Sequence, residues 1–126
     1  MIPLPFPAKI LWPNGRGHYH AKNRAFQAHK QWAFTAAKQA MPRCFKWNGE
    51  PIKWRVTITP KTAHKIDKDN AVASLKAYFD GIALALGVND SAFDVPEIIF
   101  AEPRKPGGVE IERKASKRYR EMKRAA

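Results

Sequence analysis

The sequence is poor in cysteine, in acidic residues and in long apolar runs, and each shortage excludes a class of protein. Cys44 is the only cysteine, so a disulfide framework and a cysteine-based zinc site are excluded, and a cytoplasmic protein is expected. No run approaches the roughly 18 apolar residues of a membrane span, and MIPLPFPAKILWPNG lacks the basic start of a signal peptide. Only 11 Asp and Glu stand against 23 Lys and Arg, for a formal net charge of +12. This excess favours a polyanionic partner, nucleic acid or an anionic membrane surface.

The apolar residues that are present repeat in patterns that predict a small α+β domain. IPLPF near the start and PIKWRVTIT at 51–59 alternate apolar and other residues, as half-buried strands do. Two segments, about 20–41 and about 70–86, repeat apolar residues at steps of three and four, which is typical of helices. VPEIIFAEP and GGVEIER, joined by KPGG, predict a terminal hairpin. The order β-α-β-α-β-β predicts a single domain over residues 1–112, with one mixed sheet and two helices.

A basic tail is predicted over residues 113–126. It holds seven Lys and Arg and one acid, Glu121, so its own net charge is half of that of the molecule. Such a tail is often only a solvated chain end, but each phosphate that it neutralises would release counterions. Arg118 and Arg120 are therefore candidate DNA contacts.

The acidic residues concentrate in one segment, DKDNAVASLKAYFDG at 67–81. Asp67 and Asp69 are one residue apart, and in an extended segment such residues point the same way. Two carboxylates that converge repel each other unless a cation lies between them, and magnesium or manganese suits such oxygen ligands. The alternative interpretation is that Asp69 caps the following helix and Asp67 is a solvated loop residue.

A lysine and a further carboxylate lie on the same stripe of this helix. Ala73, Lys76 and Asp80 follow Asp69 at steps of four, three and four, about 100° from the core stripe. A lysine there can neutralise a phosphate oxygen, with Asp80 to orient it; alternatively the two form only a surface ion pair. Asp90, in the turn after the helix, would add a third carboxylate if that turn returns beside residue 67.

In this order, these motifs resemble the RusA-type Holliday junction resolvases, especially their phage-borne members. The resemblance covers most of the chain and rests on WPNGRGHYH, DKDN, LKAYFDGI and LGVND. It implies a homodimer that cuts four-way DNA junctions symmetrically, with magnesium or manganese bound by aspartates. The family pattern is D-x-D-N, a lysine, an aspartate four residues later and a loop aspartate. These positions are Asp67, Asp69, Asn70, Lys76, Asp80 and Asp90.

The resemblance also implies a role for each residue. The metal ligands would be Asp67, Asp69 and Asp90, and the catalytic lysine would be Lys76. The supporting polar residues would be Asn70, Asp80 and Asn89. The DNA contacts of the domain would be Asn14, Arg16, His18 and Lys68.

Two positions depart from the family pattern. Lys76 follows Asp69 by seven residues, whereas four is the spacing in the best-known form. Either the helix begins later here, or Lys68 shares the role of the lysine. Asn89 stands before Asp90, where the family often has a second acid, so the charge of the site is one lower.

Two other functions compete with junction cleavage. A non-catalytic DNA- or RNA-binding protein would have the same composition, but its acids would repel phosphate without any compensating cation. A nuclease of the same chemistry that acts on flaps or other branched DNA would have the same site residues.

Overall fold

A four-stranded mixed sheet with helices on one face forms the core of the protein. The structure is a computed structural model that describes residues 1–13, 15, 17–41, 45–63 and 65–114. The strands are β1 (Ile2–Leu4), β2 (Trp54–Thr59), β3 (Glu97–Phe100) and β4 (Gly108–Arg113). The helices are α1 (Tyr19–Ala40), α2 (Lys68–Ser74) and α3 (Lys76–Leu86), with short 3-10 turns at Lys9–Leu11 and Asp90–Ala92. The predicted α+β class, with its mixed sheet, is confirmed.

The predicted terminal hairpin is wrong. The strand order is β1-β4-β2-β3, so β4 pairs antiparallel with both β1 and β2, while β3 pairs parallel with β2 on its far side. Parallel strands need a long crossover, and α2 with α3 supplies it between β2 and β3. The inward residues of β4, Val109 and Ile111, are buried, as expected for a central strand.

The two faces of the sheet differ in chemistry. Trp54, Val56 and Ile58 of β2 are buried beneath the helices, whereas Arg55 and Thr57 point to the other face. Arg55 pairs there with two glutamates of the neighbouring strands, and this polar face of the sheet lies opposite the helices. The alternation read from the sequence is therefore confirmed.

Small residues allow α1 and α3 to pack closely. Ala33 and Ala37 of α1 are fully buried, and Gly81 of α3 lies against the backbone of α1 near Lys30 and Phe34. The bounds of α1 agree with the prediction within one residue. This packing fixes α3, which carries Lys76 and Asp80, against the rest of the domain.

The second predicted helix is in fact two helices. It begins at Lys68, two residues before the predicted start, and is interrupted at Leu75, whose ψ is 0°. The hydroxyl of Ser74 donates to the carbonyl of Ala71 at 2.7 Å, and such back-bonding bends a helix. The predicted C-cap at Gly87 is confirmed, because this residue adopts the left-handed conformation with φ of 70°.

Buried polar contacts hold the N-terminal segment against the helices. The backbone N–H of Ala8 donates to Nε2 of His29 at 3.1 Å, so the proton of the neutral imidazole lies on Nδ1 and is donated to the carbonyl of Ala25 at 2.7 Å. The Tyr78 hydroxyl donates to the carbonyl of Pro5 at 2.6 Å. Burial lowers the pKa of His29 and raises that of Tyr78. These contacts hold residues 5–8 against α1 and α3.

Residues at the predicted boundary of the tail belong to the sheet. Arg113 is the last residue of β4, and the N–H of Lys114 donates to the carbonyl of Lys53 at 2.9 Å. Arg113 and Lys114 are therefore held by the sheet, whereas the tail itself stays a prediction. Arg118 and Arg120 fall outside the described residues.

Candidate functional site

Lys76 lies between two carboxylates that come from different elements. Its Nζ is 3.4 Å from Oδ1 of Asp80, one turn along α3, and 3.6 Å from Oδ2 of Asp90. The Lys76 side chain is 62% exposed, while that of Asp80 is only 24% exposed. The sequence predicted this pair, and the structure adds Asp90 to it.

Asn89 positions Asp90 in this cluster. The side-chain oxygen of Asn89 accepts a hydrogen bond from the N–H of Ser91 at 3.0 Å and caps the 3-10 turn Asp90–Ala92. Buried Ala92 anchors the same turn, because its carbonyl accepts from the N–H of Ile52 at 2.8 Å. The amide at position 89 therefore has a structural role that an acid could also fill.

The cluster borders an open depression of about 270 Å³. Its floor is apolar and is formed by Val72, Phe79, Phe93 and Pro96. The polar residues around it are Lys76, Asp80, Asp90 and Asp94. Three carboxylates stand against one ammonium group around this depression, so an anionic ligand would be repelled unless a cation is bound there as well.

Asp94 was not among the candidate residues of the sequence analysis. It is exposed, and its backbone N–H donates to the carbonyl of Ile52 at 2.9 Å. Asp94 therefore lies where the chain begins to pair with the segment that leads into β2. The signal was available in VNDSAFD, where a second aspartate follows Asp90 by four residues. Only the fold shows that this aspartate borders the same depression.

Asp67 and Asp69 lie at the start of α2, where Asp67 and not Asp69 is the capping residue. Asp67 is the N-cap, and its Oδ1 accepts the N–H of Asp69 at 2.8 Å. Asp69 is helical and lies in the first turn, where a negative charge is favoured by the helix dipole. The assumption that the segment is extended at both residues is therefore wrong, and so is the assignment of Asp69 as the cap.

Asp69 is nevertheless connected to the depression through α2. Ala73, one turn after Asp69 on the same face, lines the depression, so Asp69 lies about 6 Å farther along the helix axis. Asn70 is half-buried beside it, whereas Lys68 is exposed at the first position of α2. The suggestion that the helix begins later here, offered for the seven-residue spacing between Asp69 and Lys76, is wrong, because α2 already begins at Lys68.

The metal site formed by Asp67, Asp69 and Asp90 stays a prediction. Within the part of the chain that the structure describes, no three His, Cys, Asp or Glu side chains are arranged to hold one metal ion. Magnesium is often held by only one or two carboxylates, with waters and substrate phosphates as the other ligands. Asp67 and Asp69 each supply carboxylate oxygens, which are the donor type that this mode of binding uses.

Of the predicted DNA contacts near the start of the chain, only His18 is described. It is exposed and caps α1, since its Nδ1 accepts the N–H of His20 at 3.2 Å. Asn14 and Arg16 fall outside the described residues.

On the polar face of the sheet, Lys114 and Arg55 donate hydrogen bonds to Glu97, at 2.9 and 3.3 Å. The pKa of Glu97 is lowered by these two cations, and that of Arg55 is raised in return. None of the three residues lines the depression, so we regard this ion-pair network as structural.

No protein-family profile matches the chain as a whole or in part. A protein of Xylella fastidiosa (strain Temecula1) that bears the name "Uncharacterized protein" is 34% identical over 116 residues, covering 87% of this chain and 72% of its own length. The chain belongs to the same family as this Xylella protein. The name of the Xylella protein assigns no activity, so a function must be argued from the residues. No helix in the described ranges is both long and apolar enough to cross a membrane.

Proposed function

We propose that this chain is a metal-dependent endodeoxyribonuclease that cuts branched DNA, with the four-way junction as its substrate. The observation that carries the proposal is the cluster of Lys76, Asp80 and Asp90 beside an open depression, in a chain of net charge +12. A protein that only neutralises phosphates gains nothing from grouped carboxylates, because they repel the ligand. The RusA-type motifs give the order in which these residues occur.

The carboxylates are those that would hold the divalent cation. Magnesium or manganese bound by Asp67, Asp69 and Asp90 would supply Lewis-acid activation and charge neutralisation for phosphodiester hydrolysis. Asp67 has one oxygen in the cap of α2, which orients its carboxylate toward the start of the helix. Asp69, in the first turn of α2, lies on the same helix face as Ala73, which lines the depression.

Lys76 would neutralise charge that develops on the scissile phosphate. Its ammonium group is mostly exposed and is held by two acids at 3.4 and 3.6 Å, so a phosphate oxygen can reach it by replacing one of them. Asp80 would then orient the ammonium group from below, since its side chain is the more buried of the two acids. A fixed cation of this kind lowers the barrier because it needs no reorganisation during the reaction.

A homodimer would match the substrate that we propose. A four-way junction contains two equivalent strands to cut, and a two-fold symmetric protein presents two equivalent sites. Paired, symmetric nicks would follow from that arrangement.

A second candidate function is non-catalytic binding of DNA or RNA. It is favoured by the contacts of the acids within the protein, because Asp67 caps α2 while Lys76 already neutralises Asp80 and Asp90. In that case the acids would stabilise the fold and hold the lysine.

Incubation of the pure protein with labelled DNA, with and without magnesium, separates these functions. The substrates are a four-way junction, a flap and a linear duplex of matched sequence. We expect paired nicks in the junction only when magnesium is present. Binding without any cleavage of branched DNA would favour the second function, and cleavage of the flap in preference to the junction would reassign the substrate.

Asp→Asn variants test the site at constant side-chain volume. Asp69→Asn and Asp90→Asn should lower cleavage by orders of magnitude, while junction binding holds or tightens because phosphate repulsion is relieved. Glu110→Gln is the matched control, since this exposed residue lies on the polar face of the sheet. Full cleavage by Asp69→Asn would exclude it as a metal ligand.

A further inference from the structure

The outer face of α1 is polar and carries no acidic residue along its length. Six exposed side chains follow one another at steps of four, three, four, four and three, so they form one stripe opposite the buried face. The stripe spans 18 residue steps, or about 27 Å of helix. Its members are His20, Arg24, Gln27, Gln31, Thr35 and Lys38.

The positive charge of the described domain is concentrated in its N-terminal part. Eight Lys and Arg and no Asp or Glu precede Glu50, whereas residues 50–112 hold ten acids and eight bases. Helix α1 is the largest element of the acid-free part, with 22 residues. Half of these eight cations lie on this one helix: Lys22, Arg24, Lys30 and Lys38.

This arrangement of charge does not serve the stability of α1. Lys22 and Arg24 lie near the N-terminus, where the helix dipole disfavours cations, and the first turn contains no acid. Every ion pair among the described residues lies outside α1. The ammonium of Lys38 instead lies 5.7 Å from the ring of Phe34 on its own helix. These cations are thus available to an external anion.

The stripe is separate from the candidate nuclease site. No residue that lines the depression belongs to α1. Gly81 faces α1, and Lys76 lies about 140° away from it around α3. A ligand on the outer face of α1 would therefore not occupy the depression.

We propose that the outer face of α1 binds the phosphate backbone of one duplex arm of the DNA. The inference of DNA, in place of another polyanion, rests on the proposed function. Cations at the ends of the stripe would contact phosphates, and the amides of Gln27 and Gln31 would donate hydrogen bonds between them. A length of about 27 Å corresponds to roughly eight base pairs along a duplex. The polar stripe lacks the apolar side chains that an amphipathic helix inserts into a membrane.

Salt-dependent binding of the full chain tests this contact. Fluorescence anisotropy is measured without divalent metal, on a labelled linear duplex and on a junction, from 50 to about 300 mM KCl. Arg24→Gln/Lys38→Gln removes two charges from the stripe. The control, Lys53→Gln/Lys105→Gln, removes two exposed charges elsewhere, one just before β2 and one in the turn before β4. If both stripe cations contact phosphates, the log–log salt slope should fall by about 1.8 and the affinity at 0.1 M salt by about 50-fold. The control should keep the slope.

A variant that is expected to gain affinity controls for loss of DNA binding through misfolding. Gln31→Lys adds a cation in the middle of the stripe and should steepen the slope by up to about 0.9, while Gln31→Glu should weaken binding. Equal slopes for the stripe variant and the control would overturn the proposal. So would binding of phosphatidylserine vesicles that depends on Arg24 and Lys38 when duplex binding does not.

The result is distinguishable from a failure of the nuclease proposal. A stripe-dependent slope with no cleavage in magnesium would support this surface and reject the nuclease. Junction cleavage that accompanies an unchanged slope would reject the surface and leave the nuclease in place.

Discussion

Replacement of Gly81 by alanine adds one methyl group where α1 and α3 are closest. A Cβ at this position would overlap the carbonyl oxygen of Lys30 and would lie 3.0 Å from Cβ of Ala33 and from the backbone nitrogen of Phe34. Two of these atoms are helical backbone, which cannot rotate aside as a side chain can. The two helices must therefore move apart or shift along each other.

The cost follows from two opposing effects. Overpacking of a core commonly costs 1–3 kcal/mol, and backbone overlap places this site near 3 kcal/mol. Alanine is better than glycine in a helix by about 1 kcal/mol, so the net loss of unfolding free energy should be about 2 kcal/mol. For a chain of this length, that corresponds to a fall in Tm of about 7 °C. A shift of α3 would also displace Lys76 and Asp80, so junction cleavage should fall.

Urea unfolding followed by circular dichroism measures the loss. Gly17→Ala is the matched control, because its Cβ would overlap only the side chain of Ile10, and chiefly its far end. That side chain can change rotamer, so the control should lose less than about 1 kcal/mol. The reasoning is refuted if Gly81→Ala is as stable as the parent, or if Gly17→Ala is the more costly change.

Three further predictions concern pH, the lysine and the tail. The pKa of His29 is lowered below 6.5 in the fold, so below about pH 6.5 the unfolded chain binds more protons than the folded one. Stability should therefore fall as the pH drops below about 6.5. The urea midpoints at pH 7.5 and 5.5 should differ less in His29→Gln than in the parent. Lys76→Ala should lower the single-turnover cleavage rate about 30- to 1,000-fold with little loss of binding. If the rate is unchanged, Lys68 becomes the candidate lysine, and Lys68→Ala should show the loss of rate instead. Truncation after Lys114 should weaken junction and duplex binding alike and flatten the salt slope, and altered cleavage positions at unchanged affinity would contradict this.

Local periodicity was enough to predict the elements that bury one regular face. The bounds of α1 and the C-cap at Gly87 depend on residues within a few positions of each other, so the sequence contains the full signal. The alternation of β2 gave its buried face for the same reason. The pairing of β4 depends instead on which strand takes each of the two edges of β2. The partner strands are distant from β2 in sequence, so a local pattern does not encode this choice.

The candidate site shows the same division. The pairing of Lys76 with Asp80 follows from helical spacing alone, and it was predicted. Asp67 and Asp69 are both good capping residues, so the sequence did not fix which one begins the helix. The approach of Asp90 and Asp94 to α3 depends on a turn and a strand pairing, and Asp94 was therefore missed.

The central position of β4 has a consequence for synthesis on the ribosome. Ile2 of the first strand pairs with Ile111 of the last, so the sheet joins residues that are 109 positions apart. Until β4 has emerged, β1 has no partner and β2 has one empty edge, since β4 pairs with both. Such long-range pairing slows folding and leaves strand edges open to other chains. Nascent chains that stop before residue 108 should therefore be protease-sensitive and prone to aggregate, whereas chains extended beyond residue 114 should acquire protection in one step.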